Sequence, residues 1–197
     1  MSKISYRKHG NGPNNDGKGT KNNIILIGFK GSGKTSIGKG IAKLLKKKFI
    51  DLDDIIREIH KRLKGTDLSI REIYQKHGKG HFRNTEHHAI IKLGKHKNII
   101  LATGGGAPVL RKNRQKLKNI GTVVFLDVEP GVLFRRMVKR GIPPIIDAKN
   151  PLKSFTALFK ERKAVYNQLA DIIVSLKDDP LGKNVEKVIQ GLCRRER

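Results

Sequence analysis

The strongest regularity along this chain is a recurring pair: a short, continuous apolar run, then a longer stretch whose apolar positions fall three and four residues apart. The first run is Ile24-Ile25-Leu26-Ile27, and residues 36–45 follow it with Ile37, Ile41, Leu44 and Leu45 as a helical stripe. Runs this short, rich in β-branched residues, suit strands buried on both faces. The pattern returns at Phe49-Ile50-Asp51, 98–103, 121–126 and 171–175. Helices are expected over 53–63, from Ser69 to near Gly78, from about Gly80 to Gly94, and over 130–139, 154–169 and about 183–192. Ser69-Ile70-Arg71-Glu72 has capping-box spacing, and Pro130 suits a first helical turn. Strands alternating with helices predict an α/β fold, a three-layer sandwich around a five-stranded parallel sheet.

Composition sets the boundaries. Residues 1–21 are dominated by Gly, Asn and Lys and are expected to form a disordered basic tail, because they hold too little apolar surface to offset the entropy of ordering. Residues 22–197 suit one domain. The stretch 139–153, with three prolines and no clean periodicity, is expected to be a mobile lid. The formal charge of +26 favours anionic partners without choosing among ATP, a carboxylate and nucleic acid. With 5% aromatic residues and no reader motif, no dedicated nucleic-acid partner is expected. Cys193 is the lone cysteine, so neither an intramolecular disulfide nor a thiolate metal cluster is available. Without a signal-like segment or a membrane-length apolar run, a cytoplasmic monomer is expected.

Candidate chemistry begins at Gly28-Phe29-Lys30-Gly31-Ser32-Gly33-Lys34-Thr35, which fills every fixed position of G-x-x-x-x-G-K-[ST] between a strand and a helix. Backbone N–H groups from Gly31, Ser32, Gly33, Lys34, Thr35 and Ser36, at the positive end of a helix, suit phosphate oxygens. Lys34 can reach the terminal phosphates, and the Thr35 hydroxyl can ligate Mg²⁺. ATP and Mg²⁺ are therefore the expected cofactors. The loop does not name the phosphate acceptor.

The other strand ends do. Asp51-Leu52-Asp53, Phe82-Arg83 with Glu86, Thr103-Gly104-Gly105-Gly106, and Glu161-Arg162 followed by Tyr166 stand in this order behind the phosphate loop. From Asn23 to Leu192 the chain resembles the shikimate kinases, small P-loop kinases of aromatic amino-acid biosynthesis. The resemblance implies transfer of the ATP γ-phosphate to the 3-hydroxyl of shikimate, on the way to chorismate. It implies that Asp51 helps hold Mg²⁺ with Thr35, and that Phe82, Arg83 and Arg162 form the carboxylate site. It also gives the ring hydroxyls to Asp53 and the backbone of Gly104, Gly105 and Gly106. Two arginines offer planar paired donors to a carboxylate, and an aspartate beside the attacking hydroxyl can orient it and accept its proton. Either aspartate could instead cap the following helix. Arg136 is implied to stack on adenine, with the Lys177–Pro180 turn, Pro180 included, at the base.

One departure stands out. The family's lid carries an arginine before a proline, and Pro143 occupies that place. Arg140, or less favourably Lys139, is expected to supply the missing charge. The altered lid leaves open a gluconate-kinase-like activity on another small hydroxy acid; a nucleic-acid-binding protein on a kinase fold is a third reading. His77, His81, His87 and His88 have no metal-motif spacing and are expected to face water.

Overall fold

The computed structural model describes residues 4–6, 22–143 and 145–195. Its strands are β1 (Ile4–Tyr6), β2 (Ile24–Ile27), β3 (Lys48–Asp51), β4 (Ile99–Ala102), β5 (Thr122–Val128) and β6 (Ile172–Leu176). They form one sheet in the order β1-β6-β5-β2-β4-β3, with β2 to β6 mutually parallel and β1 antiparallel to β6. The five parallel strands are those expected. The sixth corrects the sheet's outline: Ile4–Tyr6, from the segment expected to be a tail, pairs with the outer edge of β6, whose backbone groups would otherwise lack a partner. The rest of that tail lies outside the described residues.

The helices are α1 (Lys34–Leu44), α2 (Leu52–Lys64), α3 (Ile70–Leu93), α4 (Arg111–Ile120), α5 (Pro130–Lys139), α6 (Pro151–Leu169) and α7 (Leu181–Arg195). In β2 all four residues are buried and alternate between two cores. Ile24 and Leu26 face Ile37, Ile41, Val185 and Val188, whereas Ile25 and Ile27 face Ile56, Ile73, Ile90 and Leu117. This two-faced burial is why the strands read as unbroken apolar runs. Among the described residues no helix is long and apolar enough to cross a membrane.

Several details differ from the pattern-based reading. Leu44 and Leu45 do not join the α1 stripe; they are 63% and 38% exposed, because the helix ends there and the chain turns through Lys46 at φ 50°. The buried positions are Lys34, Ile37, Gly38, Ile41 and Ala42. The two helices expected on either side of Gly78 are one element with a kink, Gly78 standing at φ 76°, ψ 172°. The capping box is formed: Ser69 N–H donates to Glu72 (2.8 Å) and Glu72 N–H to the Ser69 hydroxyl (3.3 Å). α4 was not anticipated, since Arg111 to Ile120 is mostly basic and polar and only Asn113, Leu117 and Ile120 are buried.

At the foot of the sheet, Asn23 is 1% exposed. Its side-chain amide donates to the carbonyls of His96 (2.8 Å) and Ile120 (2.9 Å), and its side-chain oxygen accepts from Ile99 N–H (3.0 Å). Its backbone carbonyl accepts from Thr122 N–H (3.0 Å). One residue thus joins the starts of β2, β4 and β5.

Candidate active site

In a parallel sheet the loops that leave the carboxyl ends of the strands share one edge. Here that edge holds a cleft of about 760 Å³ between the phosphate loop, Asp51 and Asp53, the triple-glycine loop, α3, and Arg140, Gly141, Pro143 and Ile145.

The nucleotide half is built on the turn from β2 into α1. Gly31 and Gly33 take φ 89° and 88°, a left-handed conformation that a side chain would strain, and this curls the backbone of the loop. Lys34 is buried, its ammonium donating to the carbonyls of Gly28 (2.9 Å) and Phe29 (2.8 Å) and to the Ser32 hydroxyl (3.4 Å). Burial pulls its pKa down to about 8, against the opposing pull of Asp53 and Asp51. The Thr35 hydroxyl donates to Asp51 Oδ2 at 2.8 Å, while Asp51 Oδ1 accepts from Asp53 N–H at 3.1 Å. Asp51 therefore caps α2 and still presents an oxygen beside Thr35. These are hard oxygen donors of the kind Mg²⁺ takes, and they fit the expected metal position.

Ser36 and Arg136 also line the cleft. Arg136 donates to Gly31 O (2.8 Å) and to Asp178 (2.5 Å), tying the phosphate loop to the turn before α7. Asn184 pins that turn by donating to Asp179 O at 3.0 Å. Lys177 and Asp179 form part of the wall; Pro180 lies beside it, accepting from Asn184 N–H.

Across the cleft, burial and then the Asp51 charge push the Asp53 pKa up to about 6, with Lys34 and Lys30 pulling the other way. Phe82 is buried with the Arg83 guanidinium 5.3 Å above its ring. Arg83 donates to Glu86 at 2.6 Å, and Glu86 is 1% exposed. Burial raises the Glu86 pKa although Arg83 opposes it. Arg162 is 8% exposed and lies 5.3 Å over the Phe29 ring. Tyr166, its hydroxyl pushed up to about 12 by burial, donates to Gly105 O.

The three glycines are the meeting point of these groups. A Cβ on Gly104 would stand 3.3 Å from Asp53 Oδ1 and 3.5 Å from Glu86. One on Gly105 would stand 3.5 Å from Arg162 Nη1, and one on Gly106 only 2.2 Å from Arg83 Nη2. The expected residues Asp53, Phe82, Arg83, Arg162 and Gly104 to Gly106 are thus brought together. Two supports were quoted from the sequence without a role: Glu86, which orients Arg83, and Tyr166, which holds the glycine loop. The i,i+3 spacing of Arg83 and Glu86 was the available signal.

Arg140 lines the cleft at the end of α5, its N–H bonded to the carbonyls of Arg136 (3.3 Å) and Met137 (3.2 Å). Of the four histidines expected to face water, His88 is exposed and the other three are partly buried. His77 and His81 pack against the fully buried His60, with ring centroids 4.9 and 5.6 Å from it, and His87 is 2.7 Å from Asn113 Oδ1. His77 and His81 turn inward because α2 and α3 lie side by side with the His60 ring in their interface, whereas His87 turns toward α4.

Comparison with known proteins gives a consistent result. The family model described as Shikimate kinase matches residues 30–193. A shikimate kinase of Nitrosococcus oceani is 38% identical over 86% of this chain and 86% of its own length. That of Caldanaerobacter subterraneus is 34% identical over 87% and 96%. The structure of shikimate kinase from Acinetobacter baumannii in complex with shikimate superposes with a TM-score of 0.79 at 31% identity, covering 89% of this chain and 95% of that one. A gluconokinase from Sinorhizobium meliloti, 20% identical with a TM-score of 0.53, shares the fold. With the phosphate loop, the paired aspartates and the two arginines around a glycine loop in place, the chain belongs to the shikimate kinase family.

Proposed function

We propose that this cleft transfers the γ-phosphate of ATP to the 3-hydroxyl of shikimate, giving shikimate 3-phosphate and ADP. The observation that carries the reading is the convergence of Asp53, Arg83 and Arg162 on the Gly104–Gly106 loop, opposite the phosphate loop. Arg83, aimed by Glu86, and Arg162 hold the acceptor's carboxylate. Glycine N–H groups meet its hydroxyls where any side chain would block the approach. Asp53 accepts the hydroxyl proton as the acceptor oxygen bonds to phosphorus; the bond from phosphorus to the β–γ bridging oxygen breaks, and its electron pair leaves with ADP. An Asp53 pKa of about 6 leaves the carboxylate ionised near neutrality yet basic enough to take a proton.

On the donor side, Lys34 exchanges loop carbonyls for phosphate oxygens, and Arg136 with the Lys177–Pro180 turn frames the base. Thr35 and Asp51 would hold Mg²⁺, which would supply charge neutralisation of the phosphates. Arg140 serves as the lid-side cation. ATP and shikimate are its partners, and the lone cysteine favours the cytoplasm as its compartment.

The test is ADP release, in a coupled assay, with shikimate and gluconate offered separately. Turnover with shikimate and little with gluconate is expected; gluconate turnover without shikimate turnover overturns the reading.

A further inference from the structure

Of the eight lysines and arginines that line the cleft, four are already engaged. Lys34 is held by three oxygens, Arg83 by Glu86, Arg136 by Gly31 and Asp178, and Arg162 is buried over Phe29. Lys30 is different. It is exposed, it lines the cleft from the middle of the phosphate loop, and among the described residues its side chain makes no hydrogen bond or ion pair. A Cβ on Gly105 would stand 3.3 Å from Lys30 N, so Lys30 sits on the seam between the nucleotide half and the glycine loop of the acceptor half.

The geometry points to Lys30 as a further catalytic residue, an unpaired ammonium on the phosphate loop that binds the phosphoryl group as it crosses from ATP to the acceptor. Its charge reaches both Lys34 and Asp53, as a small contribution at each. Lys30 acts beside the lid-side cation rather than in its place. Pro143 has no charge, and Arg140 stands where α5 ends, outside the phosphate loop. A cation mounted on the phosphate loop does not depend on the lid for its position. Charge is balanced through the step: the acceptor oxygen to phosphorus bond forms, the bond to ADP breaks, the proton goes to Asp53, and Lys30 stays protonated throughout.

The inference rests on the proposed acceptor, so the test uses two readouts on the full chain. Lys30→Met, Lys30→Arg and the wild type are compared in the coupled assay. Lys30→Met is expected to lower kcat by about tenfold or more, with KM for shikimate within about twofold, and Lys30→Arg to recover most of the rate. A Lys30→Met enzyme within twofold of wild-type kcat, or an arginine variant as slow as the methionine one, overturns the assignment. The second readout is the ratio of ATP to ADP affinity by calorimetry. Lys30→Met should weaken ATP at least fivefold relative to ADP, because the contact is to the γ-phosphate; an unchanged ratio overturns it. If the wild type fails to turn over shikimate, the acceptor reading falls while the affinity ratio still judges Lys30.

Discussion

The Gly106→Ala substitution tests the acceptor half with one methyl group. The new Cβ would stand 2.2 Å from Arg83 Nη2, 2.7 Å from Nη1 and 2.8 Å from Cζ. To restore an ordinary contact of 3.4 Å the guanidinium has to retreat by about 1.2 Å. A side-chain end can move that far, so the protein should still fold. The retreat, however, breaks the 2.6 Å bond to Glu86 and takes the donors away from the carboxylate they are placed to meet. A hydrogen bond to a charged group contributes about 1.5–3 kcal/mol, which converts to roughly 10- to 150-fold. Because that contact is made alike in the ground and transition states, the loss should fall on KM for shikimate and leave kcat nearly unchanged. KM for ATP should hold. The assay is coupled ADP release with shikimate varied at saturating ATP. A shikimate KM within twofold of wild type would refute the placement of Arg83. Stability should fall only modestly, since burial already biases Glu86 toward its neutral form and the carboxyl need not remain charged without its partner.

Other outcomes follow from the same geometry. The rate should fall as pH drops through about 6, where Asp53 takes up a proton, and Asp53→Asn should cost roughly 10²- to 10⁴-fold in kcat; a profile flat down to pH 5 would exclude Asp53 as the base. Arg140→Ala should lower kcat at least tenfold, about 1.4 kcal/mol, if the lid-side cation acts in the transition state, and a change within twofold would show that it does not. His60 is buried, and burial followed by the His77 and His81 charges holds its pKa below the ordinary value. Because the folded state favours its neutral form, its contribution to stability is complete above about pH 6.5 and is lost as the pH falls below that, toward the lower folded pKa. The melting temperature should therefore drop between pH 7 and 5 more steeply in the wild type than in His60→Asn; parallel curves would exclude His60 as the cause.

How far the sequence could be read depended on where each signal resides. β2 was legible because its four residues are buried on both faces and sit directly before a motif whose spacing encodes a backbone shape. Asp51 and Asp53 were legible as carboxylates where β3 passes into α2, and Arg83 and Arg162, which lie inside α3 and α6, because they stand in a fixed order behind the phosphate loop. α4 was not, because a helix that buries only three positions has little periodicity to detect. β1 was hidden by length: three residues carry no period, and their strand state is set by the edge of β6. The exposure of Leu44 depended on where α1 stops, which local propensity fixes poorly. Lys30 escaped notice because the motif leaves its position unspecified, and only the folded seam with Gly105 shows what it faces.

Asn23 lies at the opposite end of the sheet from all of this chemistry, yet it governs the alignment of the parts. Its amide fixes the starts of β2, β4 and β5 against each other, so it sets how far each strand travels before it delivers Gly28, Thr103 or Asp127 to the upper edge. Strands rise about 3.3 Å per residue, and a slip of one residue also turns every side chain to the other face. An apolar residue at this position would bury as well and leave such slips undiscriminated. The asparagine thus acts as a datum for the register, and the tolerance to which the arginines and the phosphate loop meet is set by three hydrogen bonds at the base of the sheet.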